Sequence, residues 1–255
     1  MRRAILLALC VVLPSTTMAR GIFARLFLGG GHVPGMERQY RVIKGKKLGT
    51  FLAGEFAGKR AVILLPPEPP PMPEDFDSGE EPCVAVFKGL LAGRKGVKVV
   101  ATIRPKMPAA VKAKMERTMA GGDMMMPEAL QWFGVKELNK ELAAYKGKYD
   151  LLICLGRLPG TDGMGIGGGR KQISYKELNF WKEKGVSVAI AEGGISRFGK
   201  LIEEGKICAV VNCKRMIQDA DYEKRPAKDL DEAFATRFVL ITPENVEEHR
   251  AYFRR

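Results

Sequence analysis

The sequence predicts an α/β fold, a three-layer sandwich around a mostly parallel sheet of five or six strands. Short apolar runs rich in Val, Ile and Leu recur from residue 60 onward, and near-continuous apolar strands are typical of a sheet buried on both faces. Amphipathic stretches separate these runs, and repeated strand–helix units imply right-handed crossovers with helices on both faces. We expect the flavodoxin-like strand order 2-1-3-4-5, which places a ligand cleft at the carboxyl ends of the first and third strands.

Each strand is predicted from a short apolar run with many β-branched residues. In chain order the runs are AVILL (61–65), VKVVAT (97–102), YDLLICL (149–155), VSVAIA (186–191), ICAVVN (207–212) and FVLI (238–241). The helices are predicted from amphipathic stretches that end at or just before a glycine, which suits a left-handed C-cap. They cover residues 80–92, 108–119, 127–145, 174–184 and 195–204.

Three parts are predicted along the 255 residues. Residues 1–19 (MRRAILLALCVVLPSTTMA) have the charged start, short apolar core and small-residue end of a secretory signal, so we expect a periplasmic or secreted protein. The apolar run is too short for a stable membrane span. Residues 20–58 are predicted to be a basic arm that ends in a short helix at 48–56, and residues 59–255 the α/β domain.

The chain is strongly basic, with 42 Lys and Arg against 29 Asp and Glu and a formal net charge of +13. Its 46% content of hydrophobic residues supplies a sizeable core, which excludes a disordered or collagen-like chain. The excess charge favours anionic partners such as an envelope polymer. The basic residues are scattered and accompany no nucleic-acid-binding motif, so a nucleic-acid partner is not predicted.

Few residues suit catalysis or metal binding. The two histidines, His32 and His249, lie far apart in the sequence, so we predict neither a His-based catalytic pair nor a metal site, and no cofactor. Cys154 and Cys208 lie inside apolar runs, where cysteine is typically a small buried side chain.

The glycine-rich stretch at 156–171 follows a predicted strand and precedes a predicted helix, a position where backbone N–H groups can hold an anion. Gly167, Gly168, Gly169 and Arg170 are the candidate anion-binding residues. The stretch lacks the phosphate-loop pattern with its lysine, so a surface loop is the alternative interpretation.

Polar residues follow three of the predicted strands. Arg157 comes just after the third strand, Glu192 ends the fourth, and Asn212 ends the fifth. Because carboxyl ends of parallel strands meet at one edge of a sheet, these three are the candidate ligand-binding residues. The alternative for Glu192 and Asn212 is a role as loop or helix caps.

The C-terminal third resembles a known family. GKLIEEGKICAVVN followed by RFVLITPENVEEHRAYF resembles the closing region of type I periplasmic sugar-binding proteins, the ribose-binding and LacI-like group, and KRAVILLPP, VAVFKGLLAG and GVKVVAT resemble the opening of that family's C-terminal lobe. The resemblance covers about residues 59–253. It implies one solute-binding-like lobe, with Glu192 and Asn212 at ligand-binding positions, whereas Gly156 and Arg157 stand where the family has an Asn-Asp pair.

Three functions follow as hypotheses. The first is an exported, non-enzymatic protein whose single lobe binds a small polar, sugar-like ligand or a protein partner, with a second copy of the chain as a candidate partner. The second is an enzyme that binds a nucleotide or phosphorylated substrate at residues 156–171. The third is a basic, envelope-associated scaffold protein with a vestigial lobe.

Overall fold

The computed structural model describes residues 34–68, 81–120, 132–159, 174–215, 217, 221 and 223–253. In these residues one six-stranded sheet has the order β2-β1-β3-β4-β5-β6. The strands are β1 (Arg60–Leu64), β2 (Lys98–Ile103), β3 (Leu151–Cys154), β4 (Ser187–Ile190), β5 (Ile207–Cys213) and β6 (Phe238–Ile241). All neighbouring pairs are parallel except β5 and β6. The predicted α/β class and flavodoxin-like order are confirmed, with β6 as an antiparallel sixth strand.

Alternate residues of the central strands enter two separate cores, as expected for a sheet covered on both faces. In β1, Val62 faces one core and Ile63 the other; in β3, Leu152 and Ile153 divide in the same way. These side chains are fully buried, which explains why each central strand is apolar without interruption.

Helices pack on both faces. The helices are α1 (Pro34–Glu55), α2 (Pro82–Gly93), α3 (Ala109–Ala120), α4 (Val135–Ala143), α5 (Gly199–Glu203) and α6 (Leu230–Arg237). Buried residues of α1, α2 and α6 belong to one core, and those of α4 and α5 to the other. The result is the predicted three-layer arrangement. Among the described helices, none combines the length and apolar character needed to cross a membrane.

The segment expected to be an arm contains a full helix of the sandwich. The predicted short helix at 48–56 is instead the end of the 22-residue α1, whose residues Tyr40, Leu48 and Leu52 are buried against the sheet. Residues 34–55 of the predicted arm therefore form part of the helical layer that covers the sheet.

Glycines allow α1 to cross α2 at backbone contact. A β-carbon placed on Gly45 would lie 2.0 Å from the Val86 carbonyl oxygen, and one on Gly89 would lie 2.0 Å from the Val42 oxygen. Gly49 and Gly93, four residues further along each helix, are almost as close to the opposite backbone. Two glycines spaced four apart on each helix therefore remove the side chains that would keep the helices apart.

Arg237 joins α1 to α6 and β6. The Arg237 side chain is 3% exposed, pairs with Glu37, and lies 3.7 Å from the ring centroid of Tyr40. Its Nε also donates to the Asp221 carbonyl oxygen at 3.3 Å. This buried guanidinium fixes the amino-terminal half of α1 to the far edge of the sheet.

Several helices differ from their predicted bounds. The predicted helix at 174–184 is two short 3₁₀ turns, Tyr175–Glu177 and Asn179–Lys182, separated by the extended Leu178. The Asn139 side chain of α4 stabilises this break because it accepts from Asn179 N–H and donates to the Glu177 carbonyl oxygen.

Two other predicted helices are shorter than expected. Helix 195–204 is reduced to α5, and 127–145 to α4, with residues 121–131 outside the described part of the chain.

Helix α6 was not predicted. Its start carries a clear signal, since the Asp229 carboxylate accepts from the N–H groups of both Asp231 and Glu232 at 2.9 Å. An Asp followed by an acidic first turn is a standard helix-start pattern, and it would have identified this element.

Candidate functional site

The three predicted ligand-binding residues all lie at the carboxyl edge of the sheet. Arg157 follows β3, Glu192 follows β4, and Asn212 is the penultimate residue of β5. Because these three strands are parallel neighbours, their ends are adjacent at one edge. Arg157 and Glu192 are exposed, and Asn212 is partly buried.

The backbone after β4 places Glu192 beside Arg157. Gly193 has a φ of +126°, a backbone conformation that residues other than glycine rarely adopt. A β-carbon on Gly193 would lie 3.2 Å from Cα of Arg157 and 3.5 Å from its Cβ. The chain after β4 thus passes close to the backbone of Arg157, so Glu192 and Arg157 are neighbouring residues at this edge.

Pro66 and Gly156 pack against each other at the carboxyl ends of the first and third strands, where the cleft is predicted. A β-carbon on Gly156 would lie 3.0 Å from Pro66 Cγ and 3.2 Å from its Cα, so the ends of β1 and β3 are packed closely there. Among the described residues, the charged groups gather one strand further along, at the ends of β3 and β4.

Lys44 of α1 adds a residue that the sequence analysis missed. Its side chain is only 8% exposed, yet its Nζ reaches the edge, 3.9 Å from Oε2 of Glu192 and 5.6 Å from the ring centroid of Phe238. A signal was present, since Tyr40, Lys44, Leu48 and Leu52 repeat every four residues and form one buried stripe of the helix. A lysine in such a stripe requires a charged partner, because an unpaired buried ammonium is strongly disfavoured.

Cys213, rather than Asn212, faces Lys44 and Glu192. Desolvation raises the pKa of the Cys213 thiol; the nearby Lys44 charge lowers it and Glu192 raises it. Successive strand residues point to opposite faces, and Asn212 pairs with Val239 of β6 in the ladder. The structure therefore brings Arg157 and Glu192 together and places Asn212 at the same edge on the opposite face of the sheet.

A second charged cluster lies at the far side of the edge, where β2 ends and α2 begins. Arg104 Nη1 donates to Glu81 Oε1 at 3.0 Å, and the Cys83 thiol donates to the same oxygen at 2.8 Å. Burial and the bond to Glu81 raise the pKa of Cys83 to about 11, so the thiol stays protonated at neutral pH. These three residues therefore form hydrogen bonds with one another, separately from Lys44 and Glu192.

A cavity of about 380 Å³ lies at the opposite, amino-terminal edge of the sheet. It is shaped by the turns that precede β4 and β5, and its lining includes Trp181, Glu183, Lys184 and Lys206. Polar residues at carboxyl ends of parallel strands converge on one point, whereas these belong to two separate surface turns. We therefore place the candidate site at the carboxyl edge.

The predicted anion-binding residues Gly167, Gly168, Gly169 and Arg170 lie outside the described residues. Within the part of the chain that the structure describes, no three His, Cys, Asp or Glu side chains gather where they could hold a metal ion. At the β3–β4 ends, Glu192, Arg157 and Lys44 supply a carboxylate, a guanidinium and an ammonium group, which can form hydrogen bonds and ion pairs.

No family model matches the chain, and no curated protein matches it. Among the solved structures that are similar to the chain, two match it at low identity as follows. One is an ABC transporter solute binding protein from Bradyrhizobium sp. BTAi1 with bound bis-tris, with a TM-score of 0.45 and 14% identity over 82% of this chain and 52% of that chain. The other is a protein from Mycobacterium smegmatis, with a TM-score of 0.38 and 13% identity over 83% of this chain and 63% of that one. The chain thus spans about half the length of the solute binding protein.

Proposed function

We propose that the chain is a non-enzymatic binding protein whose α/β lobe holds a small polar, sugar-like ligand at the carboxyl edge of its sheet. The observation that supports the proposal is the close approach of Gly193 to the backbone of Arg157, which makes Glu192 and Arg157 neighbouring residues at the ends of β4 and β3. The Glu192 side chain is 47% exposed and can accept hydrogen bonds from ligand hydroxyl groups.

Each residue has a distinct role in this proposal. Glu192 accepts from adjacent hydroxyls and Arg157 donates to ring or hydroxyl oxygens, whereas Asn212, on the opposite face of the sheet, takes no part in this proposal. Hydroxylated ligands suit this set because each hydroxyl both donates and accepts, so it can pair with either charged group. The resemblance of residues 59–253 to a sugar-binding lobe supports the same class of ligand.

A screen of purified protein against sugars, nucleosides and sugar phosphates tests the proposal by thermal shift, followed by calorimetric titration of each compound that stabilises. A ligand at a hundred times its Kd raises the free energy of unfolding by about 2.7 kcal/mol, which is easily measured. Glu192→Gln and Arg157→Gln should each weaken binding about ten- to a hundredfold, since each removes hydrogen bonds to a charged group.

The controls are Glu183→Gln and Lys184→Gln, which remove one negative and one positive charge at the amino-terminal edge. They should leave the Kd unchanged. A screen in which no compound stabilises the protein, or a ligand whose affinity falls only in the two controls, would overturn the proposal.

We also propose that the protein is exported and processed after residue 19, on the tripartite pattern of residues 1–19. Mass spectrometry of protein recovered from the producing cell's envelope fraction should find a mature chain beginning at Arg20. An intact Met1 on the recovered protein would contradict this.

A further inference from the structure

We propose that the amino-terminal edge of the sheet, opposite the candidate ligand site, binds an acidic polysaccharide along a row of lysines. This surface is separate from the one in the proposed function, since it includes none of Lys44, Arg157 and Glu192. The proposal rests on the positions of the lysines, on the charge of the edge, and on a cavity lined by a tryptophan.

Lysines lie in every turn that enters the five parallel strands. Because these strands run in one direction, their starts lie together along the amino-terminal edge. The turns, with the adjoining ends of helix and strand, cover residues 55–60, 94–98, 144–150, 182–187 and 203–207, all within the described part of the chain. In the order β2-β1-β3-β4-β5, their exposed lysines are Lys95, Lys98, Lys59, Lys146, Lys148, Lys182, Lys184 and Lys206.

Backbone hydrogen bonds make these turns direct neighbours. The Lys98 N–H donates to the Lys59 carbonyl oxygen at 2.9 Å, and the Asp150 N–H donates to the Arg60 carbonyl oxygen at 2.8 Å. Equivalent bonds join the start of β3 to that of β4 and the start of β4 to that of β5. Neighbouring strands are about 4.8 Å apart, so the five starts form a row about 19 Å long. A linear polymer can therefore contact several lysines at once.

The edge is positive after its acidic residues are counted. The five turns contain eight lysines and two arginines against five acidic residues, and Glu244, near the start of β5, adds a sixth acidic residue. Two of the acidic residues are paired within the protein, Asp150 with Arg60 at 2.9 Å and Glu204 with Lys206 at 3.2 Å. The net charge of this set is +4. A partner with several negative charges matches such an edge.

The cavity of about 380 Å³ at this edge adds an apolar surface to the row of charges. Trp181 lines it together with Lys182, Lys184 and Lys206. The Trp181 Nε1 donates to the Tyr175 carbonyl oxygen at 3.0 Å, so the polar atom of the indole is already paired. The half-buried ring therefore offers the cavity an apolar surface against which the C–H groups of a sugar ring can pack. The lysines beside it can bind the carboxylate of the same sugar.

This combination favours an acidic polysaccharide over other polyanions. Sugar hydroxyl groups can donate to Glu183 and Glu204, which also line the cavity. Proteins that lie on lipid surfaces insert apolar side chains, and the large exposed apolar residues of the described chain, Leu91 and Val100, lie outside these turns. Nucleic-acid phosphates are commonly bound by arginine in a bidentate way, whereas the two arginines of the turns are engaged within the protein.

Binding of the purified protein to polygalacturonate tests the proposal. Polyglutamate is the comparison polyanion without sugar rings, and dextran is the neutral polysaccharide. We expect polygalacturonate to bind about tenfold more tightly than polyglutamate, because only its rings can bury apolar surface against Trp181. Dextran should bind more weakly than both. Raising the salt concentration from about 0.05 M to about 0.5 M should weaken polygalacturonate binding, since salt screens exposed charges.

Paired lysine variants test the row at the end away from the cavity. Lys59→Gln with Lys98→Gln should weaken polygalacturonate binding about tenfold, because two exposed ion pairs are lost. The matched control is Lys112→Gln with Lys136→Gln, which removes the same charge from exposed positions of α3 and α4 and should leave the affinity nearly unchanged. Arg157→Gln, in the candidate ligand site, should change the affinity no more than this control does. Circular dichroism establishes that the variants fold.

The fluorescence of Trp181 tests the contact with the sugar. The chain has two tryptophans, so Trp132→Phe leaves Trp181 as the one that emits. Its emission should change when tetragalacturonate is added and stay constant when tetraglutamate is added. Trp181→Leu should bind polygalacturonate and polyglutamate equally, with the salt dependence retained.

The opposite results would overturn the proposal. These are equal weakening in the two lysine pairs, constant Trp181 emission with tetragalacturonate, or equal binding of polygalacturonate and polyglutamate by the unmodified protein. Tighter binding to duplex DNA or to phosphatidylglycerol vesicles than to polygalacturonate would also overturn it and would assign the edge to nucleic acid or lipid. None of these results bears on the proposed function, whose test uses small ligands and variants of Arg157 and Glu192.

Discussion

The α-carbon of Gly45 faces the Val86 carbonyl oxygen so closely that a single added methyl group would lie 2.0 Å from that oxygen. This contact is the centre of the crossing between α1 and α2, and the same geometry recurs from Gly89 to Val42. The two helices are held by backbone packing along four glycines, so this layer of the sandwich tolerates almost no change in side-chain volume there.

Gly45→Ala should therefore destabilise the protein by about 2 kcal/mol or more, because the helices must separate to admit the methyl group. Urea unfolding followed by circular dichroism measures the change. Gly54→Ala is the control on the same helix, where a β-carbon meets nothing within 4 Å. Alanine is the better helix former, so this control should be neutral or stabilising by up to about 1 kcal/mol. Equal effects of the two substitutions would contradict the close crossing.

Arg60 and Asp150 should make stability depend on pH in the acid range. Two Arg60 guanidinium nitrogens donate to the Asp150 carboxylate at 2.9 and 3.1 Å, and the Arg60 backbone N–H donates at 3.0 Å. These hydrogen bonds lower the pKa of Asp150 to about 2, from an ordinary 3.8. The unfolded chain therefore binds the proton more readily, so the stabilisation is complete above about pH 4 and is lost as the pH falls towards 2.

Comparison with Asp150→Asn isolates this contribution. At pH 7 the wild type should have the higher free energy of unfolding, and the difference should shrink as the pH is lowered through 4 to 2. Denaturant titrations at closely spaced pH values measure it. A difference that stays constant over this range would show that the ion pair is not the source.

Replacing Arg237 should lower the free energy of unfolding more than replacing an exposed charged residue. Arg237→Met leaves the largely buried Glu37 carboxylate without its partner and should cost about 3 kcal/mol. Arg250→Met is the control, since Arg250 and Glu247 form an exposed pair near the C-terminus and its loss should cost about 0.5 kcal/mol or less. Comparable midpoints for the two variants in thermal unfolding would contradict the buried role of Arg237.

The described cysteines should react in a fixed order with iodoacetamide. Cys213 is exposed, whereas Cys83, Cys154 and Cys208 are buried. Burial raises the pKa of Cys208 to about 12 and, with the bond to Glu81, that of Cys83 to about 11, so at pH 8 about one Cys83 thiol in a thousand is ionised.

Peptide mapping by mass spectrometry should find Cys213 modified first in the native protein, and the other three only after denaturation. Desolvation raises the pKa of Cys213 as well, so its labelling should accelerate with rising pH through 9. The Cys213→Ser variant should show no early labelling at this position, and early modification of Cys154 would contradict the fold.

The strands were easier to predict than the helices. A strand that is buried on both faces of the sheet needs apolar residues at every position, and such a run is visible in the sequence. FVLI at 238–241 matches β6 residue for residue, and the parallel order follows from strand–helix repetition. Helix α1 was predicted far too short because Gly45 and Gly49 dilute its apolar stripe, and the reason for those glycines lies in α2, more than forty residues away. The 3₁₀ turns near Leu178 depend on the Asn139 side chain, which no local pattern reveals.

The positions of two candidate site residues were predictable from the order of the strands. Arg157 and Glu192 could be found because each directly follows a strand whose direction is known. Lys44 reaches the edge from a helix that precedes the whole sheet, so only the tertiary packing associates it with Glu192. Cys213 lies on the same face of the sheet as Lys44 because successive residues of β5 point to opposite faces. The apolar runs alone do not specify which residue points to which face.

The contacts between Tyr40 or Lys44 and Phe238 join positions almost two hundred residues apart. During synthesis α1 emerges before α2 and can dock with it early, but Tyr40 and Lys44 lack their contacts with Phe238 until β6 has been synthesised. The layer that contains α1 can therefore close completely only after β6 has been synthesised, and a chain cut short before β6 would expose the face of α1 that carries Tyr40 and Lys44.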